Sequence, residues 1–169
     1  MDKTSGDDGA KISSSKAACA PLVRLMNTTK LSGSIAEAQI SFSGGQEGPY
    51  VDENLDALAT KQAAGAFVNG YRQAVKACRS VTVRLPGFGS SSMDVREVSF
   101  AKLGDDTFSA RFRATGGELE GLEFIQVGVQ SGDVVIGMNF LGLEGPDAEI
   151  ATEDAVNKIE TKLGTSGSI

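Results

Sequence analysis

From Ala64 to Gly89 the chain reads AGAFVNGYRQAVKACRSVTVRLPGFG, and its hydrophobic period changes partway along. Ala64, Phe67, Val68, Tyr71, Val75 and Cys78 recur at steps of three and four, which places them on one face of a helix. From Val81 the step becomes two. Val81, Val83 and Leu85 alternate with Thr82 and Arg84, as in a strand with one covered face. Pro86 and Gly87 close that strand. Cys78 falls at the joint, and the only other cysteine is Cys19.

Toward the N-terminus, residues 1–15 (MDKTSGDDGAKISSS) are polar and without period, which predicts a disordered tether. Lys16 to Asn27 reads as a helix. Cys19, Leu22, Val23 and Met26 share a face, and Pro21 suits a first turn, where its missing N–H costs nothing. Asn27-Thr28-Thr29 matches the N-glycosylation triplet, although its place is that of a helix C-terminus. In Ile35 to Ser43, Ala36, Ala38, Ile40 and Phe42 alternate with Glu37, Gln39 and Ser41, so a strand with one buried and one wet face is expected. Val51 to Thr60, with its DENLDAL run, reads as a short helical turn or a loop.

Toward the C-terminus the signals are those of strands. Met93 to Leu103 is expected to be a strand with a bulge near Arg96-Glu97. Thr107 to Ala114 alternates strictly, with Phe108, Ala110, Phe112 and Ala114 inward. Leu122 to Gln130 follows, and Ser131-Gly132 suits a two-residue hairpin turn. Val134 to Leu143 is apolar on both faces and should lie covered on both sides. Asp147 reads as the N-cap of a last helix with Ile150, Ala151, Ala155, Ile159 and Leu163 inward. The expected fold is α+β: a twisted antiparallel sheet of about five to six strands flanked by helices. It occupies residues 16–164 as a single domain, with 165–169 a flexible tail.

Composition narrows the function. The 169 residues contain no histidine and no tryptophan, and the net charge is −6. Without histidine the commonest general base, the commonest zinc ligand and the Ser/His and Cys/His nucleophile pairs are all absent. The negative balance opposes a nucleic-acid surface. No apolar run approaches the length of a membrane-spanning helix. Charge is uneven: residues 71–113 hold eight Lys/Arg against four acids, and residues 114–169 hold two against ten. Two differently charged faces of one domain, or a basic strip that meets an acidic partner, would each produce this pattern.

Cys19 and Cys78 both lie on apolar helix faces and in no CxxC motif. They are either a disulfide or two inert buried thiols. The disulfide is the expectation, and with it an exported chain.

Few groups suggest chemistry. Gly87 to Ser92 resembles a phosphate loop but leads to a strand and lacks the lysine, so a flexible hairpin connection is expected. Glu118, Glu120 and Glu123 lack calcium-loop spacing, so neither a metal nor another cofactor is expected. Arg111 and Arg113 share one strand face, and Arg84 sits on the polar face of another. Were those strands neighbours, Arg84, Arg111 and Arg113 would form a patch for carboxylate or phosphate. The alternative is a solvated face balanced by Glu123 or Asp94.

The pattern CAPLVRLMNTTKLSGSIAEAQISFSGG, then AFVNGYRQAVKACRSVTVRLPGFG, then the strand series and closing helix, resembles the sensor-domain lipoproteins of actinobacteria. These are similar to the extracellular sensor domain of the mycobacterial H-type serine/threonine kinase. The resemblance spans roughly Lys16 to Leu163, and its most specific marks are Cys19 and Cys78 in KACRSVTV. It implies a helix-flanked antiparallel sheet somewhat like the PsbP/Mog1 type. It also implies a lipid anchor on a cysteine upstream of the tether, holding the domain at the outer face of the cell membrane. The kinase sensor has two disulfides, whereas this chain has cysteines for one.

The expected function is therefore a non-enzymatic extracytoplasmic domain, part of a membrane-anchored lipoprotein. It would bind a small or lipidic ligand, or an envelope protein such as a membrane sensor kinase, and so modulate cell-envelope stress signalling. A carrier of lipid or glycolipid is the alternative and would need an apolar cavity between sheet and helices. A hydrolase would need a carboxylate pair with shifted pKa values in a cleft.

Overall fold

The computed structural model describes residues 10–28, 30–46 and 48–164. Eight strands lie in one sheet, more than the five to six expected: β1 (Lys11–Ser13), β2 (Ser34–Ser43), β3 (Tyr50–Leu58), β4 (Ser80–Leu85), β5 (Gly89–Glu97), β6 (Asp106–Ala114), β7 (Glu123–Ser131) and β8 (Val134–Leu141). The helices are α1 (Ala20–Met26), α2 (Lys61–Ala77) and α3 (Gly145–Leu163). The order across the sheet is β1-β4-β5-β6-β7-β8-β3-β2, and every neighbouring pair is antiparallel. β4 to β8 form a meander, and the β2–β3 hairpin joins its far edge. α2 carries the chain from β3 back across one face to β4.

The expected α+β class holds, and the two additional strands are where local signals mislead. β3 occupies the segment read as a helical turn or loop. Asp52, Glu53, Asn54 and Asp56 are poor strand formers, but ladders to β2 and β8 on both sides outweigh that preference. β1 lies inside the segment read as a tether, so a disordered stretch cannot extend to Ser15. Ile12 is buried there, and the Asn27 side chain holds it. Asn27 Nδ2 donates to Ile12 O at 2.7 Å, and Ile12 N donates to Asn27 Oδ1 at 2.9 Å. Asn27 is also the C-cap of α1, the role its position suggested. Residues 1–9 and 165–169 of the expected tether and tail lie outside the described residues.

Three further expectations are corrected. The strand expected over Met93–Leu103 begins at Gly89 and ends at Glu97. Beyond it the chain leaves the ladder, held by Ser109 Oγ on Val98 O and by Thr107 Oγ1 on Leu103 O. In α3 the N-cap is Glu144, not Asp147, and Pro146 sits in the first turn. The buried stripe is Ala148, Thr152, Ala155, Val156 and Ile159, while Ile150 and Leu163 are 60% and 57% exposed. The earlier start makes Ala148 the first inward residue, and the small side chains let the helix approach the sheet. Lastly, Ala36, Ala38, Ile40 and Phe42 of β2 are all exposed, because β2 is an edge strand and α3, which packs on β7 and β8, does not extend over that face of it.

Two cores result. One lies between the sheet and α1 with α2, and includes Leu22, Val68, Val75, Val81, Met93, Val95, Phe108 and Phe112. The other lies under α3 and includes Val127, Val129, Ile136, Met138 and Phe140. β8 contributes to both, as its two-sided apolar pattern requires. Thr60 caps α2, its hydroxyl accepting from Ala63 N at 3.1 Å. Cys19 and Cys78 form a disulfide with Cα atoms 4.7 Å apart, which joins the chain entering α1 to the end of α2.

Candidate functional site

Antiparallel register sets Gln39, Asn54, Gly137, Gly128 and Phe108 in one row across β2, β3, β8, β7 and β6. This row faces α1 and α2. Two of its five members have no side chain, so the sheet is hollow at its middle. A Cβ placed at Gly128 meets nothing within 4 Å, and one at Gly137 meets only Asn54, at 3.8 Å. Over the hollow α1 and α2 leave a cavity of about 290 Å³. That volume is near the lower end of small-molecule sites, which run from about 300 to 1,000 Å³.

The cavity has an apolar roof and a polar floor. Leu25 and Met26 at the end of α1, with Phe67, Val68 and Tyr71 of α2, form the roof. Gln39, Asn54, Asp56, Gln126 and Asn139 bring amide and carboxylate groups from the sheet. α2 therefore has two tasks along one stripe. Ala64, Val68, Ala74 and Val75 are buried in the core, whereas Phe67 and Tyr71 are only partly buried and line the cavity. The Tyr71 hydroxyl donates to Gln126 Oε1, with Met26 Sδ 3.4 Å away. Burial pushes the Tyr71 phenol well above its ordinary range, which keeps it protonated and able to donate. Its ring meets Phe108 edge-on, with centroids 5.0 Å apart.

Asp56 is the one charged residue of the lining. It is 7% exposed, and its Oδ1 is buried with no hydrogen-bond partner among the described residues. The lining holds no histidine, cysteine, serine or second carboxylate. Among the described residues no group of three or more His, Cys, Asp or Glu could hold a metal ion.

The arginines singled out in the sequence lie on the opposite face of the sheet. Arg111 and Arg113 of β6 each place Nε 3.9 Å from Glu123 Oε2. Arg96 joins them in a shallow cleft with Asp94 and Glu120, and its Nη2 is 3.2 Å from Asp94 Oδ2. Arg84 stands apart. It pairs with Ser90 on β5 while Arg113 pairs with Asp94, four residues along, a separation of about 13 Å at ~3.3 Å per residue. Glu123 thus lies between Arg111 and Arg113, and Asp94 lies against Arg96.

Phe67 and Tyr71 are legible in the sequence as inward positions of a helix, not as cavity lining, and the floor is not legible at all. Asn54 and Asp56 were hidden in a segment not recognised as a strand. The available signal was a glycine in the interior of each of two strands, which often marks a place where something approaches the backbone.

No family model matches the sequence, and no curated protein matches it. Among solved structures, the fold is similar to that of the extracellular domain of PknH from Mycobacterium tuberculosis. The TM-score is 0.64 and the identity 19%, over 90% of this chain and 80% of that one. The resemblance to the extracellular sensor domain of a mycobacterial kinase is thus borne out at the level of the fold. Among the described residues no helix is long and apolar enough to cross a membrane.

Proposed function

We propose that the chain is a non-enzymatic, extracytoplasmic sensor-like domain that binds a small ligand beneath α1 and α2 and relays occupancy to a protein of the cell envelope. The observation that carries this reading is the hollow at Gly128 and Gly137, roofed by apolar side chains and floored by amides. Folded cores are close-packed and leave few such spaces. The disulfide supports an extracytoplasmic setting, since such bridges persist in oxidising compartments. The single carboxylate of the lining, with no histidine, cysteine, serine or second carboxylate among the lining residues, supports binding over hydrolysis. The volume favours a small ligand over a diacyl lipid.

Cys19 and Cys78 hold α1 and α2 together at one end, while Leu25 and Met26 reach the cavity from the other end of α1. That arrangement suits a roof which shifts when the cavity fills. Attachment to the outer face of the membrane through an upstream lipidated cysteine belongs to the same reading, as does a membrane sensor kinase as the partner. Arg84, Arg111 and Arg113 are the proposed partner-facing cations. The test is a deletion strain complemented with wild type or with Gly128→Val, scored by an envelope-stress reporter. Deletion should alter the reporter, and Gly128→Val should fail to restore it. A reporter indifferent to deletion would end the signalling reading.

A further inference from the structure

We infer that the cavity takes an amphipathic ammonium compound, an apolar body carrying a protonated amine that pairs with Asp56. The inference rests on the binding role just proposed and specifies its ligand. Asp56 is more than nine-tenths buried, and Oδ1 has no donor among the described residues. A buried carboxylate oxygen left in this way is costly, because it has lost water and gained no donor of the chain in exchange. It persists where something outside the chain supplies the partner.

The charge of the surroundings selects the sign of that partner. No lysine or arginine lines the cavity, so an anionic ligand would meet Asp56 with no compensating cation. A neutral hydroxyl could donate a hydrogen bond but would leave the charge buried. Directly opposite Asp56 on β2 stands Glu37, itself 3.5 Å from Lys30 Nζ in an exposed pair. Lys30 balances Glu37, and the Asp56 carboxylate is the charge an entering cation meets in the lining. An ammonium has three donors to place. Asp56 takes one, and the side-chain amide oxygens of Asn54 and Gln39 lie next along the lining, bonded to no other residue among those described. The apolar body then lies beneath Leu25, Met26 and Phe67.

The experiment is ligand-observed NMR and calorimetry at pH 7 with phenethylamine, 4-phenylbutylamine and cyclohexylmethylamine. Each is compared with the alcohol and the carboxylate of the same skeleton. For at least one skeleton the amine should bind wild type at least tenfold more tightly than its alcohol, and the carboxylate should not bind. Asp56→Asn should reduce that amine to the level of the alcohol while keeping a cooperative melt, and Gly128→Val should expel both. Alcohols that match the amines and are expelled by Gly128→Val overturn the ammonium assignment and leave the cavity as a binding site. Amine preference that survives in Asp56→Asn also overturns the assignment. If no member of the set binds, this inference and the binding role fall together.

Discussion

Gly128 on β7 lies directly opposite Gly137 on β8, and the pair removes two adjacent side chains from the sheet face that α2 covers. In the interior of a strand, glycine costs about 0.5–1 kcal/mol relative to alanine, through backbone entropy and lost packing. Neither residue has positive φ, so neither is required by the backbone.

Gly128→Val should therefore fold. A Cβ there meets open space, and valine suits a strand. Urea denaturation should show stability unchanged or raised by up to about 1 kcal/mol. Any probe that binds wild type in the cavity should weaken at least tenfold. Unchanged affinity would place the binding site elsewhere.

Asp56→Asn should stabilise the ligand-free protein. The substitution keeps shape and replaces a buried carboxylate whose Oδ1 has no donor among the described residues, and a gain of about 1 kcal/mol is expected at pH 7. A clear loss of stability in urea melts would mean that the carboxylate has a compensating partner in solution.

Reducing the disulfide, or replacing Cys19 and Cys78 by serine, should destabilise. The bridge spans a sequence separation of 59 residues, for which the loop-entropy model expects about 4 kcal/mol. Non-reducing and reducing mass spectra would show the bond, and thermal melts its effect. The cavity roof should loosen with it, seen as faster amide exchange at Leu25, Met26 and Phe67 than in the oxidised protein. Equal exchange in both forms would separate the bridge from the roof.

Asp105 should contribute to the acid limb of stability. Its carboxyl is held below the ordinary value first by Lys61, whose Nζ is 2.6 Å from Oδ1, and then by the Gly132 N–H, with partial burial opposing both. A depressed folded pKa stabilises above the unfolded value, about 3.9 for aspartate, and that contribution is lost as pH falls through the lower folded value. Wild type should exceed Asp105→Asn in melting temperature at pH 7. The gap should narrow below about pH 4 as the native carboxylate protonates. Because the Asp105 side chain is 36% exposed, the difference should be small. A gap that stays constant to low pH would show that the carboxylate's charge is not its source.

Where side chains repeat at a single clear period, the sequence was legible. Phe108, Ala110, Phe112 and Ala114 gave β6, and the two-sided apolar run from Val134 gave β8 between neighbours. The step change after Cys78 gave the passage from α2 to β4. Legibility failed where neighbours override local preference. β3 is strand only because β2 and β8 flank it, and the alternation of Ala36 to Phe42 could not reveal that the covering layer stops short of β2. The arginines drew attention because charge is visible in one dimension. The cavity did not, because its floor draws on β2, β3, β7 and β8 and its defining feature is two missing side chains.

Periodicity and composition alone thus dictate the α+β class, the helix-to-strand joint at Cys78 and the lack of imidazole chemistry, since each depends on residue type and spacing along the chain. Register belongs to the folded state. Which residues stand opposite one another, and so whether Gly128 meets Gly137 and whether Asp56 finds a partner, follows from pairing between distant segments, whose energy no local window contains.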